Sequence, residues 1–364
     1  MSPPHIAVYG ATGHTGRLVA ADLHARGLEI TLAGRDGNAL KTLSEELGGA
    51  LVFEAALDEP AALRDLAGSA DVLIHCAGPF TDTGRALATA AAEAGCHYVD
   101  HALEQHHTKW MFDAMQGPAR EAGITMVTAM SFYGGLGDLL AGAVAAGVTG
   151  VDRVITAYSV TGWRLTTGAR KTAELLFADT RRITYTDGAE HVGYVEPRNA
   201  VFPFPPPLGP RTMIAPVPFP EVVTVPRHVA ARQVEAQLTA HTFEEEQAFT
   251  SEHVDAATRA GSHFTVAVQV ITQDGNRAGQ ARGHDLWRMS ALASVEAAVR
   301  LAGGQGDGGQ GPEPGPGGQG PGPGAGGQGP GPGVFSPAEA FPAGPFLRDL
   351  ERLGLFTLTL QEER

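Results

Sequence analysis

The residues whose types and spacing suit chemistry come early in the chain, in Gly10-Ala11-Thr12-Gly13-His14-Thr15-Gly16. Glycines at this G-x-x-G-x-x-G spacing let a backbone turn tightly against a diphosphate, whose charge is met by free N–H groups and the positive end of a following helix. Thr12, His14 and Thr15 stand between the glycines and complete the candidate cofactor loop. A second set is Ala33-Gly34-Arg35-Asp36. Gly34 leaves room and the Arg35 guanidinium offers a fork of donors suited to a 2′-phosphate, so NADP is expected over NAD. Asp36 is the residue that would serve NAD, by accepting bonds from free ribose hydroxyls. Ala77, Gly78, Pro79 and Phe80 form a third stretch, with Phe80 as a candidate wall for the nicotinamide.

Proton transfer has three candidates. His101 titrates near neutrality when unperturbed. Tyr133 offers a phenol, and Lys171 is the last lysine of the chain. Asp100 and Glu104 are candidates to hold a cationic or hydrogen-bonding substrate, with Tyr158 and Trp163 facing it. Plainer roles exist for several of these. A carboxylate after a strand commonly caps a helix, Asp138 fits as an N-cap, and Lys171 fits as a solvated side chain. The glycines of Ser131–Asp138 suggest a backbone that approaches a ligand closely. His97, His101, His106 and His107 raise the question of a metal, but H-E-x-x-H is absent and His97 falls on a strand while His106 and His107 begin a helix, so no metal is expected. No tyrosine is followed four residues later by lysine. The Tyr/Lys pair of many short-chain reductases is therefore missing.

These residues need elements to position them. His5–Gly10 is a short apolar run, Gly13–Arg26 reads as a helix, and Leu28–Ala33 is a second strand. The alternation continues through helical Asn38–Leu47 and Pro60–Leu66, strand Asp71–Cys76, a further helix and strand Cys96–Asp100. Strands separated by helices predict an α/β fold, a Rossmann-type doubly wound parallel sheet, over residues 1–150. Residues 151–302 predict a second α/β domain on a mainly antiparallel sheet, with a hairpin about Asp187-Gly188 and another from Phe264–Ile271 through Asp274-Gly275-Asn276. That domain's last helix is expected to pack back on the first. Pro203–Pro220 reads as a loop, because proline removes ladder donors. Residues 303–333 repeat a Gly/Pro/Gln unit without apolar side chains and predict a disordered linker. Residues 334–364 predict a helical C-terminal segment.

Composition narrows the partners. The 364 residues are 43% hydrophobic with a formal net charge of −14. That charge opposes nucleic acid and anionic membrane surfaces, which leaves a small-molecule substrate. The two cysteines, the opening MSPPHIAVYG and the lack of a long apolar run predict a cytoplasmic location. Arginine far outnumbers lysine, which suggests a GC-rich bacterial genome.

GATGHTG with AGRD, HCAGPFTDTG, HYVDHALEQ and SFYGGLGDLLA together resemble the saccharopine dehydrogenase-like oxidoreductases, a group that includes trans-acting enoyl reductase-like proteins. The resemblance implies an N-terminal NADP-binding domain and a mixed α/β second domain. The chain departs from the family where Leu103 replaces the glycine of Y-x-D-x-x-G-E, and where Ser131-Phe132-Tyr133 and Leu136 replace G-F-D and the proline of G-F-D-x-x-P-x-D. The expected activity is NADPH-dependent reduction of an imine or conjugated enoyl bond in a small metabolite, in bacterial secondary metabolism. Two alternatives stand beside it: enoyl reduction in trans on a carrier-bound or lipid chain, and a non-catalytic NADP sensor or scaffold. A homodimer is the assembly to test.

Overall fold

Apolar runs and amphipathic stretches alternate through the first third of the chain, and they fold in that order. The structure, a computed structural model, describes residues 3–178, 181–244, 253–303 and 330–360. It begins β1 (His5–Tyr9), α1 (His14–Ala25), β2 (Glu29–Gly34), α2 (Gly37–Glu46), β3 (Leu51–Glu54), α3 (Pro60–Gly68). It continues β4 (Val72–His75), α4 (Phe80–Ala94), β5 (His97–Asp100), α5 (Gln105–Glu121), β6 (Thr125–Val127) and α6 (Gly137–Val144). The second half contains β7 (Val151–Thr161), α7 (Thr167–Ala178), β8 (Arg181–Thr186), β9 (Ala189–Tyr194), β10 (Arg198–Pro203), β11 (Pro210–Ala215) and α8 (Glu221–Thr224). Then come β12 (Ala231–Thr239), α9 (Ala240–Glu244), α10 (Ala256–Ala260), β13 (His263–Thr272), β14 (Asn276–His284) and α11 (Leu286–Gly303). The chain closes with β15 (Gly333–Phe335), α12 (Pro337–Ala340), α13 (Ala343–Arg352) and β16 (Phe356–Leu360).

The first sheet is parallel, in the order β15-β6-β5-β4-β1-β2-β3. Strand order reverses between β1 and β4, and a crevice opens at such a point beyond the carboxyl ends of the strands. Strands buried on both faces need apolar residues throughout, and Ile6, Ala7, Val8, Leu73 and Ile74 are fully buried. One face packs under α1, α2 and α11, the other under α3, α4 and α5.

The second sheet runs β10-β11-β12-β7-β13-β14-β16, with β8 and β9 attached beside β12. Among the described residues only β12 and β7 pair in parallel in this sheet. α11 is apolar on nearly every side because it lies between layers, touching α1, β4 and β5.

Two expectations need correction. Pro203–Pro220 is not simply a loop, since β11 pairs with β10 from Arg198↔Ala215 to Pro203↔Pro210. The two prolines sit at the strand ends, where a lost N–H breaks no ladder. The C-terminal segment is more than a helix: β15 extends the first sheet beside β6 and β16 extends the second beside β14. Most of the expected disordered linker, residues 304–329, lies outside the described residues.

Candidate functional site

The crevice at the β1/β4 switch is the mouth of a cleft of about 1030 Å³, at the upper end of the range for small-molecule sites. Its floor is the glycine turn. Gly10 ends β1 at φ +79, and a Cβ there would stand 2.8 Å from the Ala77 side chain and 2.9 Å from the Ala77 nitrogen. At Gly16 a Cβ would meet the Gly10 carbonyl oxygen at 2.1 Å. These two glycines let three backbones touch. Gly13 is different, for its Cβ would meet only the Gly10 carbonyl, at 3.2 Å, and the residue lines the cleft with Thr12, His14 and Thr15. Gly16 itself lies behind that wall.

Among the described residues no side chain caps the amino end of α1. Its first N–H groups therefore face the cleft wall uncompensated, next to a loop that a Cβ would fill, and this suits a diphosphate. At the end of β2, Gly34 and Arg35 line the same cleft. Asp36 has a structural task at the start of α2. Its carboxylate accepts from Asn38 N at 3.1 Å and Ala39 N at 3.0 Å, as the N-cap of α2. Ala77, Gly78, Pro79 and Phe80 carry the wall onward from β4. Phe80 is packed edge-on against His75, with ring centroids 4.8 Å apart.

The far end of the cleft gathers His101, Tyr133, Trp163 and Lys171. Burial pushes the His101 ring down to about 4, against the opposing pull of Asp100. A ring held that low is uncharged at ordinary pH, so the part open to His101 is that of a neutral N–H or ring nitrogen rather than an imidazolium. Its Nε2 is buried and has no hydrogen-bond partner among the described residues. Burial raises the Tyr133 phenol above its usual value, so it keeps its proton. The Tyr133 ring is wedged between Phe219, centroids 4.8 Å apart, and Tyr158, at 5.2 Å. Trp163 is anchored through Nε1 to the Thr242 carbonyl at 3.2 Å. Lys171 is exposed, on the α7 side of the cleft.

Three expected substrate contacts turn inward instead. Asp100 is fully buried and accepts from Thr128 Oγ1 at 3.0 Å, Ala129 N at 2.8 Å, Ala102 N at 3.0 Å and His107 Nε2 at 3.0 Å. Burial pulls that carboxyl up, but the bonds from His107, Ala129 and Ala102 prevail and hold it low. Glu104 accepts from Phe80 N at 2.7 Å and Leu103 N at 3.0 Å, which ties the start of α4 to the loop before α5. Tyr158 donates to Glu221 and accepts from Gly134 N at 3.2 Å. Each is a strut behind the cleft wall, with its polar atoms already engaged.

The room left by the glycines after Ser131 is filled by protein. A Cβ at Gly134, where φ is +90, would stand 2.4 Å from the Pro220 ring, and one at Gly137 would meet the Tyr158 hydroxyl at 2.4 Å. Asp138 is no N-cap: it accepts from His228 Nε2 and from Ala338 N, both at 2.8 Å. Residues that sequence reasoning passed over include Phe219, His253, Trp287 and Ser290, all in the cleft wall. They come from three separated stretches, with Trp287 and Ser290 together on α11, so spacing carried no signal that joins them. Among the described residues no cluster of His, Cys, Asp or Glu is arranged to hold a metal. No helix of the described residues is long and apolar enough to cross a membrane.

The family model matches this same end of the molecule. Residues 6–130 match the family model described as the saccharopine dehydrogenase NADP binding domain. The "Trans-acting enoyl reductase" of Mycobacterium ulcerans is 32% identical over 133 residues, which is 35% of this chain and 32% of that protein. A "Putative trans-acting enoyl reductase" of Mycobacterium tuberculosis aligns over the same share. The chain therefore aligns with about a third of the length of these relatives. The solved apo saccharopine dehydrogenase (L-Glu forming) of Saccharomyces cerevisiae superposes with a TM-score of 0.63, covering 99% of this chain and all of that one, at 11% identity. The fold is shared across both domains.

Proposed function

Starting from an N-terminal domain of the saccharopine dehydrogenase NADP-binding family, we propose that this chain is an NADPH-dependent oxidoreductase. Its substrate would be a small molecule carrying a polarised double bond, an imine or a conjugated enoyl group. One observation carries the reading: a single cleft runs from the uncapped start of α1 and Arg35, past Gly78 and Phe80, to Tyr133, Trp163 and Phe219. Groups suited to a cofactor and an apolar, aromatic wall suited to a substrate thus line one space.

NADPH, when bound, supplies a hydride to the electron-poor carbon. The protein's part is to hold the acceptor and to manage charge. Tyr133, protonated at every ordinary pH, donates a hydrogen bond to the oxygen or nitrogen on which negative charge develops. Neutral His101 offers its unpartnered Nε2 to the same region as donor or acceptor, according to its tautomer. Lys171 adds positive charge at the rim, and Trp163 with Phe219 excludes water. The aromatic wall supports an enoyl chain at least as well as an imine, and the relatives named as trans-acting enoyl reductases lean the same way.

The test is turnover. Pure protein with NADPH is offered a cyclic imine, an enoyl thioester and a plain ketone, and loss of nicotinamide absorbance is followed. Oxidation with the imine or the enoyl thioester and its decline in Tyr133→Phe support the reading. Tight NADPH binding without oxidation by any acceptor would favour a sensor or scaffold instead.

A further inference from the structure

We propose that His14 is the donor through which the second half of the chain reads the cofactor's diphosphate, giving one ring N–H to a phosphate oxygen while its other nitrogen holds Val254. The proposal rests on the NADP reading above and adds a residue role to it. His14 is the first residue of α1, beside the uncapped N–H groups, and it is only 8% exposed in the cleft wall. The Val254 amide donates to its Nδ1 at 3.2 Å. A ring nitrogen that accepts carries no proton, so in the neutral ring the hydrogen sits on Nε2.

That tautomer is fixed across ordinary pH. Burial, with Arg259 and His253 acting in the same direction, lowers the ring to about 4. Arg259 on α10 is itself paired with Asp285 at 3.2 Å. The ring cannot swing freely, because it stacks on His253, with centroids 6.1 Å apart, and meets Trp287 edge-on at 6.0 Å. Yet Nε2 is buried and has no hydrogen-bond partner among the described residues. A buried donor left without an acceptor is costly, and an incoming anion removes that cost. The uncharged N–H and the open end of α1 make one donor set, which fits a diphosphate oxygen.

The coupling follows from the ring's two ends. An oxygen bound at Nε2 makes Nδ1 a better acceptor, and so tightens the hold on Val254 and on α10, whose N-cap Asp255 follows directly. Cofactor occupancy is thereby communicated to a segment more than two hundred residues away along the chain.

The experiment uses the full chain and two probes, NADPH and adenosine 2′-monophosphate, which carries the 2′-phosphate but no diphosphate. Wild type is compared with His14→Phe and His14→Gln, and exchange of the Val254 amide is followed by NMR. The expected result is a loss of about tenfold to a hundredfold in NADPH affinity for His14→Phe, with nucleotide monophosphate binding unchanged. His14→Gln, whose amide retains a donor and an acceptor, recovers most of the loss. NADPH slows Val254 exchange in wild type and in the glutamine variant alone. Equal NADPH affinity in wild type and His14→Phe overturns the proposal and leaves the NADP reading intact. A parallel loss of both probes in His14→Phe also overturns it, by showing a collapsed site. If wild type binds neither probe, the NADP reading fails and takes this proposal with it.

Discussion

Gly16→Ala and Gly13→Ala differ by one methyl group each, and the geometry makes opposite demands of them. At Gly16 the new Cβ would stand 2.1 Å from the Gly10 carbonyl oxygen and 2.8 Å from Ala11 Cα, all backbone atoms that cannot rotate away. The end of β1 and the start of α1 would have to separate by about 1 Å to restore contact near 3.4 Å. Overpacking of this kind costs about 1–3 kcal/mol, and here no side chain can yield, so about 3 kcal/mol is the better figure. Alanine recovers at most about 1 kcal/mol through helix propensity, so the clash wins. A net loss near 2 kcal/mol lowers a thermal midpoint by about 4–8 °C in a domain of this size. At Gly13 the Cβ meets only the Gly10 carbonyl, at 3.2 Å, and a shift of a few tenths of an ångström suffices. The midpoint should move by less than about 2 °C, while the methyl narrows the diphosphate's path and weakens NADPH binding. Thermal unfolding and NADPH fluorescence titration on both variants decide the matter. Equal midpoints for wild type and Gly16→Ala would refute the described turn, and full NADPH affinity in Gly13→Ala would refute the path.

Other outcomes are expected from the same geometry. Arg35→Ala should cut the NADPH over NADH preference by about fivefold to thirtyfold, an exposed pair being discounted for screening, and titration of both cofactors at fixed ionic strength reads it. Asp36→Ala should cost about 1 kcal/mol of stability through the lost N-cap and leave that preference unchanged, as chemical denaturation with the same titrations would show. Glu221 is raised to about 7 by burial, so between its unfolded value and pH 7 the folded protein holds a proton that the unfolded chain releases. Stability therefore declines with rising pH up to about 7, and Glu221→Gln should flatten that slope in midpoints measured across the window. His228, raised mainly by Asp138 against the cost of burial, stabilises below its unfolded value and loses that contribution as pH rises through the folded one. His228→Gln should lose stability on the acid side of that window and converge with wild type above it.

The legible parts of this molecule were those settled within a few residues. The glycine turn, the strand before it and the helix after it are one local unit, and its spacing specifies the close approach of Gly16 to the Gly10 backbone, though not that of Gly10 to Ala77. Asp100 and Glu104 were not legible in the same way. Whether a carboxylate after β5 faces a cleft or the interior depends on Ala129 and Phe80, which reach it from 29 and 24 residues away. The period-two pattern Phe356-Thr357-Leu358-Thr359-Leu360 did carry a strand signal, but β16 had no hairpin partner beside it in sequence. Its partner β14 ends more than seventy residues earlier. Proline density likewise hid β11, because composition cannot say which prolines fall at strand ends.

The two ends of the cleft are built by different rules, and this separates their determinants. The cofactor end comes from contiguous sequence, Gly10 to Arg35 with Ala77 to Phe80, held by backbone contacts that tolerate little change. The end proposed to take substrate is assembled from side chains of α7, the loop before α8, α9 and α11, each on a different stretch of chain. Side chains there can be exchanged without moving the glycine turn, so acceptor range can drift while dinucleotide binding stays fixed. The terminal strands limit how far the ends can part, since β15 belongs to the first sheet and β16 to the second, with only α12 and α13 between them. A short, packed connection of this kind favours a cleft of set width over a wide hinge. On the function proposed above, substrate selection would fall to the shape of the wall around Tyr133, Trp163 and Phe219.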